Sequence, residues 1–175
     1  MANSLKELTK DVHHDAERKP FAKLLLSGNI TPQQYYVYLF NQFHMYQALE
    51  SKLDLSGIED IARHNKIRDD IHELESLFDI KPKTLFKSTV DYIRYINSID
   101  DQQRLLAHLY VRHFGDMYGG QIIKKRIPGS GSMYDFDNVE FLKQTVREKL
   151  TDDMAEEAKV CFNYAIRLFE EIMNE

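Results

Sequence analysis

The sequence predicts an all-α fold, a single-domain bundle of about eight helices over residues 1–175, and three observations carry that prediction. Apolar residues recur at helical spacing almost throughout, and no segment alternates with the period of two that a half-buried strand requires. The 175 residues include only 7 glycines and 4 prolines, few for a chain of short strands and tight turns. One clear flexible connection exists, "PGSGSM" at 128–133, and nothing marks a repeat, a low-complexity tract or a linker between domains.

The helices fall near 3–18, 20–28, 31–53, 56–79, 83–98, 100–126, 136–149 and 151–173. In the first, Leu5, Leu8, Val12 and Ala16 line one face and define the stripe to be buried. The third opens on Thr31-Pro32-Gln33-Gln34: a capping threonine, a proline in the first turn and a glutamine at the third position. The sixth contains "FGDMYGGQIIKK", where three glycines should each weaken a helix by roughly 1 kcal/mol relative to alanine. The flexible connection separates it from the seventh, and the eighth closes the chain.

Composition narrows the function. An apolar share of 43% and a charged share of 29% are those of a folded water-soluble chain. A net charge of −5 and a pI near 5.8 argue against general nucleic-acid binding. No apolar run approaches the roughly 18 residues that span a bilayer, and "MANSLKELTK" lacks the apolar centre of a signal peptide. A lone cysteine, Cys161, excludes an internal disulfide and suits a reducing compartment. The expectation is a cytoplasmic protein without membrane or nucleic-acid partners. Basic groups nevertheless gather at Lys6 and Lys10, Arg18 and Lys19, Lys124–Arg126, and Lys143 with Arg147. The last two stand i,i+4 on one helix and repel each other, so an anion held between them would relieve a cost.

Two further residue groups suggest a site. On the glycine helix, Gly115 and Gly119 share a face with Arg112 and Asp116 beside it, Gly120 lying further round. Bare backbone beside a carboxylate, with a guanidinium one turn away to tether it, suits a flat ligand lying against the helix and ordered water next to it. The same glycines would equally serve tight helix packing or a helix end at Gly119–Gly120. In the first helix His13 lies at the edge of the buried stripe, flanked by Lys6 and Lys10, while His14 faces away. His13 could therefore reach a half-buried ligand whose anionic groups meet the two lysines, or could simply be packed there.

These stretches carry a family likeness. "LKELTKDVHHDAERKPF" resembles the proximal helix of heme oxygenases, and "HLYVRHFGDMYGGQIIKK" resembles their distal helix, Y-x-R-x-x-G-D-x-x-G-G-Q-x-x-K-K. "FLKQTVREKL" resembles the helix whose lysine and arginine meet the heme propionates, and "EEAKVCFNYAIRLFEEI" the closing helix of the catalytic domain. The likeness runs from about residue 4 to 173, several motifs in order. The sequence departs from the pattern at Tyr118, where a small serine is frequent, at His113, where an aromatic is common, and in a short stretch between about 54 and 100.

The resemblance implies heme b, as cofactor and substrate, sandwiched between a proximal and a distal helix, with O2 and electrons from an external donor such as ferredoxin or a flavin reductase. The products would be biliverdin, as the alpha isomer, CO and ferrous iron, and a downstream bilin reductase could receive the bilin. It makes His13 the axial iron ligand with Glu17 near it, and Lys6, Lys10, Lys143 and Arg147 the propionate contacts. Tyr110 would lie beside the heme, Phe162 on the pocket wall, and Gly115, Gly119 and Gly120 under the ring. Asp116 would hold the distal water, with Tyr46 and Arg112 as supports. A heme-binding protein without turnover is the first rival. A di-iron oxidase on a similar fold is the second, but it calls for Glu-x-x-His, and the nearest match is Asp69-x-x-His72. Thiolate ligation through Cys161 is weaker, since a single cysteine in such a helix is usually core filler.

Overall fold

The computed structural model describes residues 2–81 and 84–175, with side chains from Ser4 onward. Among the described residues the regular elements are all helical: α1 (Ala2–Leu8), α2 (Lys10–Glu17), α3 (Pro20–Ser27), α4 (Pro32–Lys52), α5 (His64–Leu77), α6 (Lys87–Asn97), α7 (Gln102–Tyr118), α8 (Gly120–Ile123), α9 (Val139–Arg147) and α10 (Ala155–Met173), with three short 3-10 turns. The start expected at 83 lies outside the described residues, and α6 begins at Lys87.

Helix α4 opens as its sequence requires. Thr31 Oγ1 accepts from the Gln34 amide at 3.1 Å, and Gln34 Oε1 accepts from the Thr31 amide at 2.9 Å. Its length serves several neighbours, for it packs on α5, α6 and α7, while α10 packs on α2, α3, α6 and α7. The larger apolar core surrounds α4, with Leu39, Met45, Leu49, Ile67, Tyr92 and Leu105 buried. A second core gathers Leu5, Leu109, Phe114, Leu142, Val146 and Ala158. Helix α7 enters both, so its face is fixed by burial before any ligand is considered.

Two expected helices, over 3–18 and 100–126, are divided, the latter at Gly119 between α7 and α8, and a third is shortened. The first breaks at Thr9, a buried residue whose Oγ1 donates to the Leu5 carbonyl at 2.9 Å. One wheel therefore cannot describe α1 and α2 together: Leu5 and Ala16 are buried as expected, but Leu8 is 48% exposed. The helix expected over 56–79 starts only at His64. Gly57 has φ +84°, and Asp54 Oδ1 accepts from the Ser56 amide at 3.1 Å, which closes a turn instead. The chain then wraps the buried guanidinium of Arg63, which donates to the carbonyls of Asp60, Ile61, Ala62, Met133 and Asp135. Long-range partners of that kind leave no local trace in the sequence.

Candidate functional site

The three glycines of α7–α8 serve two different purposes. None has positive φ; Gly119 itself stands at φ −63°, ψ −29°, an ordinary right-handed conformation. A left-handed helix cap is therefore not their reason. Gly120 is buried, and a Cβ there would lie 2.4 Å from Tyr134 Cδ1, so the fold itself demands glycine. Gly120 thus belongs to packing beneath Tyr134 rather than to the ligand face assigned it from sequence. Gly115 and Gly119 are exposed. An added Cβ at Gly115 would meet nothing within 4 Å, and one at Gly119 only the Gly115 carbonyl at 3.6 Å. The fold would tolerate side chains at both, so their absence leaves an open strip of backbone.

Asp116 lies on the other side of that strip, 9% exposed. Its Oδ2 accepts from the Tyr46 hydroxyl of α4 at 2.7 Å. Burial pushes its carboxyl up to about 6, against the charges of His113, Arg63 and Arg112 and the Tyr46 hydrogen bond, which pull it down. Arg112 does not tether the carboxylate as the i,i+4 spacing suggested. Its guanidinium donates to Tyr92 Oη at 3.1 Å, Gln42 Oε1 at 3.3 Å and Met45 Sδ at 3.5 Å, and lies 4.3 Å from the Tyr92 ring centre. Those partners come from α4 and α6, so tertiary packing takes the group that local spacing had offered to Asp116. Arg112 reaches Asp116 by its charge alone, while its guanidinium is anchored on Tyr92.

On α2, His13 and His14 are both exposed, but only His13 stacks on α10, 5.3 Å from the Phe162 ring centre. One His13 ring nitrogen lies 2.9 Å from Glu17 Oε1, an i,i+4 pair that orients the imidazole. Lys6 and Lys10 are exposed, Lys10 lying 3.6 Å from Glu7.

The basic pair on α9 converges on one residue of α7. Lys143, 9% exposed, places Nζ 3.8 Å from the centre of the Tyr118 ring, and Arg147 donates to the Tyr118 hydroxyl. Tyr110, Phe114 and Tyr118 form an aromatic row along α7, with ring centres 5.3 and 6.1 Å apart, and Phe114 lies 5.7 Å from the Arg147 guanidinium carbon. The relief from repulsion that an anion was expected to supply comes from this tyrosine face and hydroxyl. The sequence marked Tyr118 only as an oddity.

A second missed group sits behind Asp116. Glu50 of α4, buried, accepts from the Arg63 amide at 2.7 Å and the His64 amide at 3.0 Å, and contacts His64 Nδ1 at 2.6 Å and His113 Nε2 at 2.7 Å. Burial raises its carboxyl, but these hydrogen bonds win and hold it down at about 2. One sequence signal existed: His113 falls on the buried side of α7, next to Asp116 in the wheel. Among the described residues no cluster of three or more His, Cys, Asp or Glu side chains could hold a metal ion, and Asp69 and His72 are exposed on α5.

A flat iron porphyrin with two carboxylates fits this donor set. One imidazole projects from α2, bare backbone faces open space on α7, and a row of aromatic rings ends at two cations. The heme oxygenase family model matches residues 1–171. Heme oxygenase 1 of Bos taurus is 27% identical, across 98% of this chain and 71% of that protein. Heme oxygenase of Guillardia theta is 28% identical, across 98% and 86%. The solved heme oxygenase of Leptospira interrogans superposes with a TM-score of 0.82 at 26% identity, covering 97% of this chain and 98% of that one. The heme complex of heme oxygenase-1 from the cyanobacterium Synechocystis gives 0.81 at 21% identity, covering 99% and 92%, a likeness of fold.

Proposed function

The chain belongs to the heme oxygenase family, and from that premise we propose how its own residues carry out the oxidative cleavage of heme. It is an oxidoreductase for which heme is both substrate and cofactor, with O2 and an external reductant. Bound heme supplies an iron that takes up O2 once reduced and a porphyrin ring that is itself opened, giving biliverdin, CO and ferrous iron. The observation that carries the reading is the open backbone at Gly115 and Gly119 immediately beside a buried carboxylate.

His13 would hold the heme iron through a ring nitrogen, with Glu17 orienting the imidazole. Gly115 and Gly119 let the α7 backbone approach the ring face, with Tyr110 and Phe162 on its flanks. Asp116, fixed by Tyr46, accepts a hydrogen bond from water and delivers protons on the oxygen side. Lys6, Lys10, Lys143 and Arg147 bind the carboxylates. Arg147 and Lys143 exchange their contacts with Tyr118 for charge-assisted ones, and their grip sets which ring edge faces the oxygen. We assign the alpha isomer, one catalytic domain over 1–175, a cytoplasmic location, a ferredoxin or flavin reductase as electron donor, and a bilin reductase as a possible recipient of product. Among the described residues no helix is long and apolar enough to cross a membrane.

The test is to titrate the purified protein with heme, then add ascorbate or reduced ferredoxin in air with catalase present. The Soret band of a histidine-ligated complex should appear and then give way to a bilin spectrum, with CO released. A stable heme complex that never turns over would leave a carrier in place of an enzyme.

A further inference from the structure

His113 is fully buried on α7, three residues before Asp116, and both of its ring nitrogens face acceptors. Nδ1 lies 3.3 Å from the Leu109 carbonyl, which can only accept, and Nε2 lies 2.7 Å from Glu50 Oε2. Glu50 already accepts from two backbone amides, at 2.7 and 3.0 Å, and contacts His64 Nδ1 at 2.6 Å. One backbone amide donates to each of its two oxygens, and although burial would raise its carboxyl, the hydrogen bonds hold it at about 2, so Glu50 is ionised. A carboxylate opposite Nε2 and a carbonyl opposite Nδ1 are both acceptors, so the hydrogen-bond geometry calls for a proton on each His113 nitrogen, an imidazolium with Glu50 as counter-ion.

That cation lies one helical turn before Asp116 on α7. Its ring centre is 5.1 Å from that of Tyr46, the residue that donates to Asp116. The other groups facing Asp116 are Arg112 on its own helix, Tyr35 and Tyr38 on α4, Arg63 ahead of α5, and Tyr134. Arg112 and Arg63 spend their hydrogen bonds elsewhere, and the tyrosines are neutral. We propose that His113, held as an imidazolium by Glu50, is a positioning residue that keeps buried Asp116 in the carboxylate form needed to hold distal water. His113 exerts the largest of the influences that oppose the burial of Asp116, ahead of the Tyr46 hydrogen bond and both arginines. His64, partly exposed, lies against the other oxygen of Glu50, Oε1, at 2.6 Å.

The proposal rests on the reading of Asp116 as the water-holding group, but its first test needs no heme. The 13C titration of the Asp116 carboxyl is followed in the heme-free protein, with Asp116→Asn to identify the signal. His113→Tyr is the informative variant, since a phenol can still donate to Glu50 while carrying no charge. Its Asp116 midpoint should rise by about 1–3 pH units, the range for losing an opposite charge nearby. The acid limb of heme turnover should move up with it. An unmoved midpoint in a variant with intact helical circular dichroism overturns the proposal. Failure of turnover in every form, with the midpoint shifted as stated, would count against the enzymatic reading alone. The unsubstituted protein supplies a check independent of folding: its His113 15N signals at pH 7 should show both nitrogens protonated, and a neutral ring there equally overturns it.

Discussion

The Tyr46 hydroxyl reaches across from α4 to donate a 2.7 Å hydrogen bond to Asp116 Oδ2 on α7, so the one buried carboxylate beside the glycine strip is aimed by a different helix. Two consequences follow for activity. Asp116→Ala should bind heme through His13 nearly as well as the unaltered protein yet fail to open the ring. Tyr46→Phe should keep the carboxylate but lose about 1.5–3 kcal/mol of charge-assisted positioning, lowering turnover with little effect on heme affinity. Heme titration beside bilin formation separates them, and full turnover by Asp116→Ala would mean that another residue manages the protons.

The same carboxyl predicts a pH dependence. Its folded value of about 6 is raised, by burial, above the unfolded value of 3.8. The native protein therefore holds a proton there that the unfolded chain has already released. Asp116 contributes stability at low pH and loses it as pH rises through that window. Activity runs the other way: turnover should fall as pH drops below about 6 and the water-holding carboxylate is neutralised. Turnover against pH at constant heme saturation measures this, and a flat profile from 5 to 8, on the order of that window, would contradict it.

Gly119→Leu and Gly120→Ala should separate sharply. Gly119 has open space beside it, so leucine should fold and could even stabilise the heme-free protein by up to roughly 1 kcal/mol, while blocking heme. Gly120→Ala drives a Cβ to 2.4 Å from Tyr134, so its thermal midpoint should fall. A Gly119→Leu protein that degrades heme normally would reduce the strip to an accident of packing.

His13→Ala should abolish normal axial ligation and leave a weakly bound heme with an altered Soret band. His14→Ala, which removes no contact with α10, should leave the spectrum nearly unchanged. The reverse result would put the ligand one position further along α2.

Lys143→Ala and Arg147→Ala should each weaken heme binding by about 1–3 kcal/mol, the range for a charge-assisted contact. Arg147→Ala should also alter the proportion of biliverdin isomers, because a loosened carboxylate lets the ring rotate in the pocket. Chromatography of the bilin products reads this, and unchanged affinity and isomer in both variants would remove α9 from the site.

The sequence by itself determined the helical class, the α4 start, the order of the proximal and distal motifs, and the residue types that heme chemistry needs. Those features are local: a capping box, a helical period and a run of glycines act over one or two turns and are written in adjacent residues. Only the tertiary structure decided which glycines face open space and which lies under Tyr134, for that depends on a ring arriving from fourteen residues away. It also gave Asp116 to Tyr46 rather than to Arg112, set Tyr118 between Lys143 and Arg147, and enclosed Glu50 between two histidines. In each case a buried polar group takes whichever partner packing brings within hydrogen-bond reach, because leaving it without one costs more than any local preference supplies.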